Sequence, residues 1–156
     1  MQVKDFMITD VIYVTKEMNL KQLLQTLVRH KIGGVPVIGE QGKLLGVISD
    51  GDVLRYLKPQ GTTVYDMFSL VLISEKEDIV EKLTRSLKVP VEKLMKRRDI
   101  QTLYADDDIE TALQLFAKYH FKKIPIIDTN HHVIGIISRG DIIRYMTQKL
   151  IEESQS

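Results

Sequence analysis

The sequence contains no cysteine, and it has no run of about 18 apolar residues such as a membrane-spanning helix requires. The absence of cysteine excludes disulfides, thiol nucleophiles and thiolate metal ligands, and it agrees with a reducing compartment, so a cytoplasmic protein is expected. The first residues, MQVKDFM, lack the cationic stretch and the long apolar run that are typical of a secretory signal. We therefore expect no disulfide and no membrane association.

Neither sign of charge dominates, because 22 Lys and Arg residues nearly balance 21 Asp and Glu residues. A protein of this balance has no general field that draws it to nucleic acid or to an anionic membrane. The small basic cluster within residues 93–98 has no helix-turn-helix pattern around it, so DNA binding is not expected. Any binding driven by charge must be local.

Motifs for catalysis and for metal binding are also missing. The sequence has no nucleophile elbow, no P-loop and no Rossmann glycine fingerprint, and a Ser beside an Asp has no dedicated base to activate it. A metal site needs three or four converging ligands. His131 and His132 fall in a predicted turn, whereas His30 and His120 fall near the ends of predicted helices. We therefore expect neither an enzyme nor a metal protein.

What the sequence does contain is an internal repeat. Residues 46–57 (GVISDGDVLRYL) recur 89 positions later as residues 135–146 (GIISRGDIIRYM), with seven of twelve positions identical. Residues 3–7 match residues 91–95 with an offset of 88, so one residue is inserted or deleted after them. Each copy is about 55 residues long, too short to be comfortably stable alone. The two copies are expected to pack together.

Each copy predicts the order strand, helix, strand, strand, helix. In the first copy Asn19 is a plausible N-cap, and Gly33 and Gly34 are expected to end the helix. Short β-rich runs on either side of residues 40–43, and on either side of residues 128–131, are typical of hairpins. The predicted organisation is a first repeat at 1–58, a partly helical connecting segment at 59–88 and a second repeat at 89–156. In the connecting segment, residues 75–87 predict an amphipathic helix, and its apolar content favours packing on the core or on a partner.

The motif Gly-x-x-Ser-x-Gly-Asp lies where the last strand of each copy meets the following helix. The hydroxyl of Ser49 or Ser138 can donate to a phosphate or cap the helix, and Asp52 or Asp141 can accept both hydroxyls of a ribose. Amide groups at a helix start favour an anion at the same spot. The alternative interpretation is that these residues are only N-caps and first-turn acids. For one copy alone, both interpretations stay open.

The doubled pattern of apolar-Pro-apolar before each hairpin and Gly-apolar-apolar-Ser-x-x-Asp after it resembles a pair of cystathionine-β-synthase (CBS) domains, also known as a Bateman module. The resemblance covers nearly all of the chain apart from residues 58–88. It implies an α/β fold of two β-α-β-β-α repeats packed as a pseudo-twofold module, which commonly forms a flat homodimer. It also implies clefts that bind AMP, ADP, ATP, S-adenosylmethionine or cyclic di-AMP.

The resemblance further implies that the motif Asp holds the ribose, the Ser meets phosphate, and apolar residues near the Pro and the first strand sandwich the adenine. The residues that it implicates in one cleft are Ser49, Asp52, Val11, Ile12, Val35, Pro36 and Ile48. Those that it implicates in the other cleft are Ser138, Asp141, Ile100, Gln101, Ile124, Pro125 and Ile137. The expected regulatory ligand is an adenine nucleotide, and no other cofactor is expected.

The two copies differ where phosphate selectivity should be decided. Before its Pro-containing strand the second copy has HFKK where the first has KIGG. The cations that distinguish the second copy or lie upstream of it are Lys122, Lys123, Arg139, Arg97 and Arg98. We therefore expect the cleft of Asp141 to prefer a phosphorylated nucleotide, and the cleft of Asp52 to take a less charged adenosyl ligand or to stay empty. The alternative is that these cations form a solvated face.

Two functional classes follow. The first is a ligand-sensing regulatory module, in which an adenosyl ligand shifts the population of repeat arrangements and so alters a surface that an effector protein reads. The second is a constitutive dimerisation or protein-interaction module with vestigial clefts and residues 64–87 as its contact surface. The presence of Ser and Asp in both copies favours the first, because a purely structural repeat needs no carboxylates to hold ribose.

Overall fold

The two sequence repeats form two similar units of helices packed on small sheets, which confirms the predicted α/β fold class. The computed structural model of the protein describes residues 1–58, 61–66, 71–76 and 78–156, with backbone alone for the two short middle ranges. The order of elements in the first repeat follows the sequence-based prediction, and the second repeat follows it except for its first strand.

The first repeat comprises β1 (Val14–Thr15), α1 (Leu20–His30), β2 (Gly34–Ile38), β3 (Leu44–Ser49) and α2 (Asp50–Leu57). Strand β2 lies between β1, which is parallel to it, and β3, which is antiparallel. Asn19 caps α1 as predicted, because its side chain accepts the N–H of Gln22 at 3.0 Å. The predicted stop at the glycine pair is wrong, since the helix ends at Lys31, whose φ of 51° provides the left-handed turn.

The connecting segment contains an antiparallel hairpin of β4 (Gly61–Asp66) and β5 (Val71–Lys76), followed by α3 (Ile79–Ser86). The predicted helix over 75–87 is therefore wrong at its start, where the chain is still in β5. The side chain of Asp78 accepts the N–H groups of Val80 and Glu81 and sets the true helix start. Residues 59, 60, 67–70 and 77, and the side chains of the proposed contact surface up to residue 77, lie outside the described part of the chain.

The end of the connecting segment docks on the first repeat. The Lys82 ammonium of α3 lies 5.4 Å from the centroid of the Tyr56 ring of α2. The N–H of Leu20 then donates to the carbonyl of Val89 at 2.9 Å, at the start of α1. The described last part of the segment therefore contacts the first repeat, but Ile79 and Val80 of α3 are 52% and 71% exposed and do not pack on the core as expected.

The second repeat comprises α4 (Ile109–Lys118), β6 (Lys123–Ile127), β7 (Val133–Ser138) and α5 (Arg139–Ser154). Strands β6 and β7 form the second predicted hairpin. Asp128 shapes its turn, because the carboxylate accepts the N–H groups of Asn130 and His132, both at 2.9 Å. The counterpart of β1 is reduced to a single parallel bridge between Leu103 and Ile126.

The N-terminal segment of each repeat packs on the other repeat. Near the start of the chain, Ile8 and Ile136 exchange two backbone hydrogen bonds of 2.9 Å, and Val3 and Phe6 are buried in the core of the second repeat. In the same way Val91 is buried in the core of the first repeat. The two cores are thereby interlocked, which agrees with the expectation that neither repeat is stable alone.

The first glycine of each motif makes room for this exchange. A Cβ on Gly46 would lie 2.6 Å from the carbonyl oxygen of Lys96, which pairs with Val47 through hydrogen bonds of 3.0 and 2.8 Å. A Cβ on Gly135 would lie 2.7 Å from the sulfur of Met7. Real Cβ atoms are not found this close to other atoms, so the backbone of Lys96 requires glycine at position 46, whereas at position 135 the Met7 side chain would have to move.

Candidate functional site

The two motif carboxylates occupy equivalent places, because Asp52 and Asp141 are the third residues of α2 and α5. Oδ2 of Asp52 accepts the N–H of Ser49 at 2.8 Å and its hydroxyl at 3.2 Å. Oδ2 of Asp141 accepts the same two groups of Ser138 at 2.7 and 2.8 Å. Each pair is thus a capping box that fixes the start of the helix. The capping interpretation of these residues is therefore correct, and a binding role must rest on what else they face.

Each carboxylate also carries an arginine from the next helical turn. Nη2 of Arg55 donates to Oδ1 of Asp52 at 2.6 Å, and Nη2 of Arg144 donates to Oδ1 of Asp141 at 2.5 Å. The arginine side chains are 72% and 73% exposed, whereas the carboxylates are only 21% and 10% exposed. An exposed ion pair contributes about 0–1 kcal/mol, so the arginine is easily replaced by another donor.

The number of hydrogen-bond sites on the Asp52 carboxylate also indicates that the arginine must be replaced when a ligand binds. A carboxylate offers about four lone-pair sites, and three donors already occupy Asp52, namely the Ser49 N–H, the Ser49 hydroxyl and Arg55. A diol that donates two hydrogen bonds needs two free sites. It therefore requires the arginine to leave, while the serine contacts can remain.

The Asp52 cleft, as we name it, is a cavity of about 200 Å³ between the repeats. Its lining takes residues from both of them. These are Gly34, Val35, Pro36, Val47, Ile48, Ser49, Asp52 and Arg55 from the first repeat, and Lys96, His120, Phe121, Lys122, Lys123, Pro125 and Ile136 from the second.

The Asp141 cleft is the equivalent cavity on the other side, with a volume of about 500 Å³. Its lining is also shared. These residues are Ile8, Asp10, Ile12, Lys31, Ile32 and Gly33 from the first repeat, and Lys122, Lys123, Ile136, Ser138, Asp141 and Arg144 from the second. Lys122, Lys123 and Ile136 line both clefts, so the two cavities meet at the edge of β6 and β7.

The structure brings only part of each predicted set together. Ser49, Asp52, Val35, Pro36 and Ile48 line one cleft as expected. Ser138 and Asp141 line the other. Their role in ligand binding stays a prediction.

Two predicted residues lie in the opposite cleft. Ile12 lines the Asp141 cleft and not the Asp52 cleft, and Pro125 lines the Asp52 cleft and not the Asp141 cleft. The physical reason is that each cleft is closed by the repeat that does not supply its carboxylate. Five further predicted residues are absent from the described lining of both clefts: Val11, Ile100, Gln101, Ile124 and Ile137. The last two are fully buried in the core of the second repeat.

The charges also fall differently from the prediction. His120 lines the Asp52 cleft, and the two lysines after it line both clefts. Arg139 lies outside both linings, because its Nη2 donates to the carbonyls of Phe116 and Tyr119 at 3.2 and 2.9 Å, at the end of α4. Arg97 contacts Glu92 at 3.4 Å. The predicted excess of positive charge in the Asp141 cleft is therefore wrong.

Lys122 and Lys123 are the two cations that lie between the clefts and line both of them. Burial lowers the pKa of the Lys123 ammonium below its ordinary value, and the nearby Asp141 carboxylate opposes the shift. The Lys122 ammonium lies 3.8 Å from the carboxylate of Asp50. An anion bound in either cleft would compensate the desolvation of the Lys123 ammonium.

Several lining residues were missed from the sequence. Arg55 and Arg144 lie within the duplicated motif, three residues after each Asp, and this spacing on a helix could have identified them. Lys96 and Asp10 gave no local signal, because the exchange of segments between the repeats brings them to the clefts, and Phe121 lines a cleft whose carboxylate belongs to the other repeat.

Other kinds of site find no support among the residues that the structure describes. Within them, no group of three His, Cys, Asp or Glu side chains is arranged to hold a metal ion. No described helix has the length and apolar character needed to cross a membrane.

Two interlocked β-α-β-β-α repeats with a composite cleft on either side define a class of tandem α/β modules. The profile of the CBS domain matches residues 3–59 and 91–148, most of the chain. The chain therefore belongs to the CBS-domain family, in the form of a tandem pair.

Among its relatives is the uncharacterized protein MJ1426 of Methanocaldococcus jannaschii, 30% identical over an alignment of 152 positions that covers 92% of this chain and 89% of that protein. The chain also matches inosine-5'-monophosphate dehydrogenase of Aquifex aeolicus at 26% identity, but it spans only 23% of that enzyme's length. CBS pairs thus occur both alone and inside larger proteins.

Solved structures share the fold. CBSX2 from Arabidopsis thaliana superposes with a TM-score of 0.75 at 26% identity, covering 94% of each chain, and a complex of CBSX2 with AMP gives 0.72 at 24% identity, covering 94% of this chain and 96% of that one. The CBS pair of MJ0100, in complex with 5'-methylthioadenosine and S-adenosyl-L-methionine, gives 0.68 at 22% identity, covering 96% of this chain and 98% of that one.

Proposed function

We propose that this chain is a regulatory sensor without catalytic activity, which binds an adenosine-containing nucleotide of the AMP, ADP or ATP class in the clefts between its two repeats. One observation carries the proposal. Each cleft combines a half-buried motif carboxylate from one repeat with polar, charged and apolar groups from the other. The adenosyl ligands held by CBSX2 and MJ0100, which share the fold, support the same class of ligand.

The arrangement suits the parts of a nucleoside phosphate. The carboxylate of Asp52 or Asp141 accepts the ribose hydroxyls once the exposed arginine has moved away. In the Asp52 cleft, Val35, Pro36 and Ile48 offer an apolar wall for adenine. Lys122 and Lys123 neutralise phosphate from either side.

Binding between repeats gives a physical route to signalling. A ligand that contacts both repeats binds best to one arrangement of them and therefore shifts the population toward it. At a ligand concentration of 100 times Kd, this stabilises the bound arrangement by about 2.7 kcal/mol. An effector protein that reads the altered surface receives the signal.

We further propose that the organisation is a first repeat at 1–58, a connecting segment at 59–88 and a second repeat at 89–156, and that two chains form a homodimer. Leu54 and Ile143, at equivalent positions of α2 and α5, are 68% and 62% exposed. Large apolar side chains that repeat the pseudo-twofold pattern on the surface suit contact with a second copy.

The competing proposal is a constitutive dimerisation or interaction module with vestigial clefts. The capping boxes favour it, because helix capping alone accounts for Ser and Asp in both motifs. It differs from sensing in one measurable way, since a vestigial cleft binds no adenosyl ligand.

A thermal unfolding series separates the two. Under the sensing proposal, AMP, ADP or ATP raises the unfolding midpoint of the wild-type protein, and Asp52→Asn combined with Asp141→Asn removes the rise, because the amide keeps the cap but loses the charge. Asp5→Asn is the matched control: Asp5 also caps, accepting the N–H of Gln2 at 2.8 Å, but lines neither cleft. If no adenine nucleotide raises the wild-type midpoint, the sensing proposal is wrong and the interaction module remains.

A further inference from the structure

We infer that the two clefts select different adenosyl ligands. The Asp52 cleft selects a nucleotide that carries phosphate, and the Asp141 cleft selects an adenosyl compound whose 5′ substituent is apolar or cationic. This inference rests on the proposed function and adds the two residues that determine which ligand each cleft selects, Lys96 and Asp10. It is the opposite of the assignment that the sequence alone suggests.

Lys96 is the first of these residues. It and Ile8 are structural counterparts, because Lys96 pairs with Val47 of β3 and Ile8 pairs with Ile136, the equivalent residue of β7. Each faces the cleft of the opposite repeat. The same backbone position therefore contributes an ammonium group to the Asp52 cleft and an apolar side chain to the Asp141 cleft.

The ammonium of Lys96 lies beside the Phe121 ring at the edge of the cleft, although Lys96 is exposed to solvent. Its backbone is fixed by the two hydrogen bonds to Val47, of 2.8 and 3.0 Å. Its Nζ lies 5.3 Å from the centroid of the Phe121 ring, which lines the same cleft. A cation–π contact of this kind keeps the charge in place at a low cost in side-chain entropy, so a phosphate meets a preorganised partner.

Asp10 is the second residue. Among the lining residues that the structure describes, and apart from Lys122 and Lys123, which serve both clefts, the Asp52 cleft has two cations and His120 against one carboxylate. The Asp141 cleft has two cations, Lys31 and Arg144, against two carboxylates, because Asp10 lines it. A carboxylate disfavours a phosphate beside it and favours a cationic group.

The remaining lining agrees with this division. Ile8, Ile12 and Ile32 give the Asp141 cleft an apolar wall, and its volume of about 500 Å³ exceeds that of the Asp52 cleft. A thioether or a sulfonium substituent on the 5′ carbon gains from burial against such a wall, whereas a phosphate loses its hydration there.

The test measures two probes in single-cleft variants by titration calorimetry. Asp141→Asn leaves the Asp52 cleft, and we expect it to bind AMP at least about tenfold more tightly than 5′-methylthioadenosine, as a charge-assisted contact implies. Asp52→Asn leaves the Asp141 cleft, where we expect the order to reverse. An equal ratio of the two affinities in both variants, or the opposite order, overturns the inference.

Substitutions of Lys96 and Asp10 test whether these residues cause the difference in ligand preference. In the Asp141→Asn background, Lys96→Ile should weaken AMP binding about tenfold and leave 5′-methylthioadenosine unchanged, whereas Lys93→Ile, on the same segment but outside both linings, should change neither. In the Asp52→Asn background, Asp10→Asn should strengthen AMP binding. If neither swap alters AMP binding, the inference fails. A wild-type protein that binds neither probe would instead refute the proposed function, whereas binding with equal preference leaves that function intact.

Discussion

Replacing Gly46 by alanine should destabilise the protein by clashing with the exchanged segment. The new Cβ would lie 2.6 Å from the carbonyl oxygen of Lys96 and 3.1 Å from the sulfur of Met95. The φ of Gly46 is not positive, so alanine can adopt this backbone conformation and the clash is the only penalty. The sulfur can move aside, but the carbonyl belongs to a backbone fixed by hydrogen bonds.

The size of the loss in stability depends on which contacts must shift to make room for the new Cβ. Overpacking a well-packed site costs about 1–3 kcal/mol. If the segment shifts, the two hydrogen bonds between Val47 and Lys96 weaken, and each contributes about 0.5–1.5 kcal/mol. We therefore expect the free energy of unfolding to fall by about 2–3 kcal/mol. Because Lys96 lines the Asp52 cleft, the affinity for AMP should fall as well.

Urea unfolding measures the first effect, with an unchanged slope against denaturant as the sign that only stability has altered. Gly39→Ala is the matched control, because its new Cβ would come equally close, at 2.8 Å, to a side-chain atom of Leu45 that can move aside and not to a backbone atom. A free energy of unfolding for Gly46→Ala within about 0.5 kcal/mol of wild type, the range of ordinary surface changes, would refute the proposed packing.

Three further predictions concern the core, the arginines and the shared lysine. Phe6→Ala should lower the free energy of unfolding, measured by urea titration, by about 3 kcal/mol. The reason is that Phe6 belongs to the core of the second repeat and its ring centroid lies 5.3 Å from that of Tyr145. A loss below about 1 kcal/mol would contradict this prediction. Arg144→Ala should raise the affinity of the Asp141 cleft for an adenosyl ligand about two- to fivefold in calorimetry, because it removes a competitor of the ribose hydroxyls; weaker binding would mean that the arginine contacts the ligand. A bound phosphate should raise the lowered pKa of Lys123. AMP binding at a pH just below the ordinary pKa of lysine should therefore be accompanied by proton uptake. Calorimetry in two buffers of different ionisation enthalpy measures this uptake. Lys123→Arg, which stays charged throughout, should abolish the uptake, and an uptake that persists would assign it to another group.

Local structure was largely predictable from the sequence, because local chemistry decides it. The repeat, the two hairpins and the cap at Asn19 follow from periodicity and from residue types at helix starts. The helix end was not predictable in this way. A left-handed turn at Lys31 ends the helix without glycine, whereas Gly34 belongs to β2, where an added Cβ would make ordinary contacts of 3.4–3.6 Å. The local preference for glycine at a helix C-terminus therefore did not decide where this helix ends.

Of the residues that line the clefts, the sequence reliably predicted the two motif carboxylates but not the residues opposite them. Asp52 and Asp141 face the cavities as the motif suggests, but the residues opposite them come from the other repeat. The change of offset from 89 to 88 shows a one-residue insertion or deletion after the first segment, and it does not indicate which core receives that segment. Arg139 illustrates the same limit, because carbonyls at the end of α4 compete successfully with the cleft for its guanidinium group.

The connecting segment was mispredicted for a different reason. The overlap between the predicted helix and β5 is Glu75 and Lys76, and charged residues with good helix propensity do not indicate a strand. Only the cap at Asp78 marks the true boundary, and acids of this kind are frequent on either side of it.

The central claim is that the motif carboxylates grip the vicinal hydroxyls of a ribose. Titration of AMP against 2′,3′-dideoxy-AMP, in the wild-type protein and in the Asp52→Asn, Asp141→Asn double variant, measures that contact alone. We predict that the dideoxy compound binds wild type at least about tenfold more weakly than AMP, and that the double variant no longer distinguishes the two. Equal affinity of both compounds for the wild-type protein would contradict the claim.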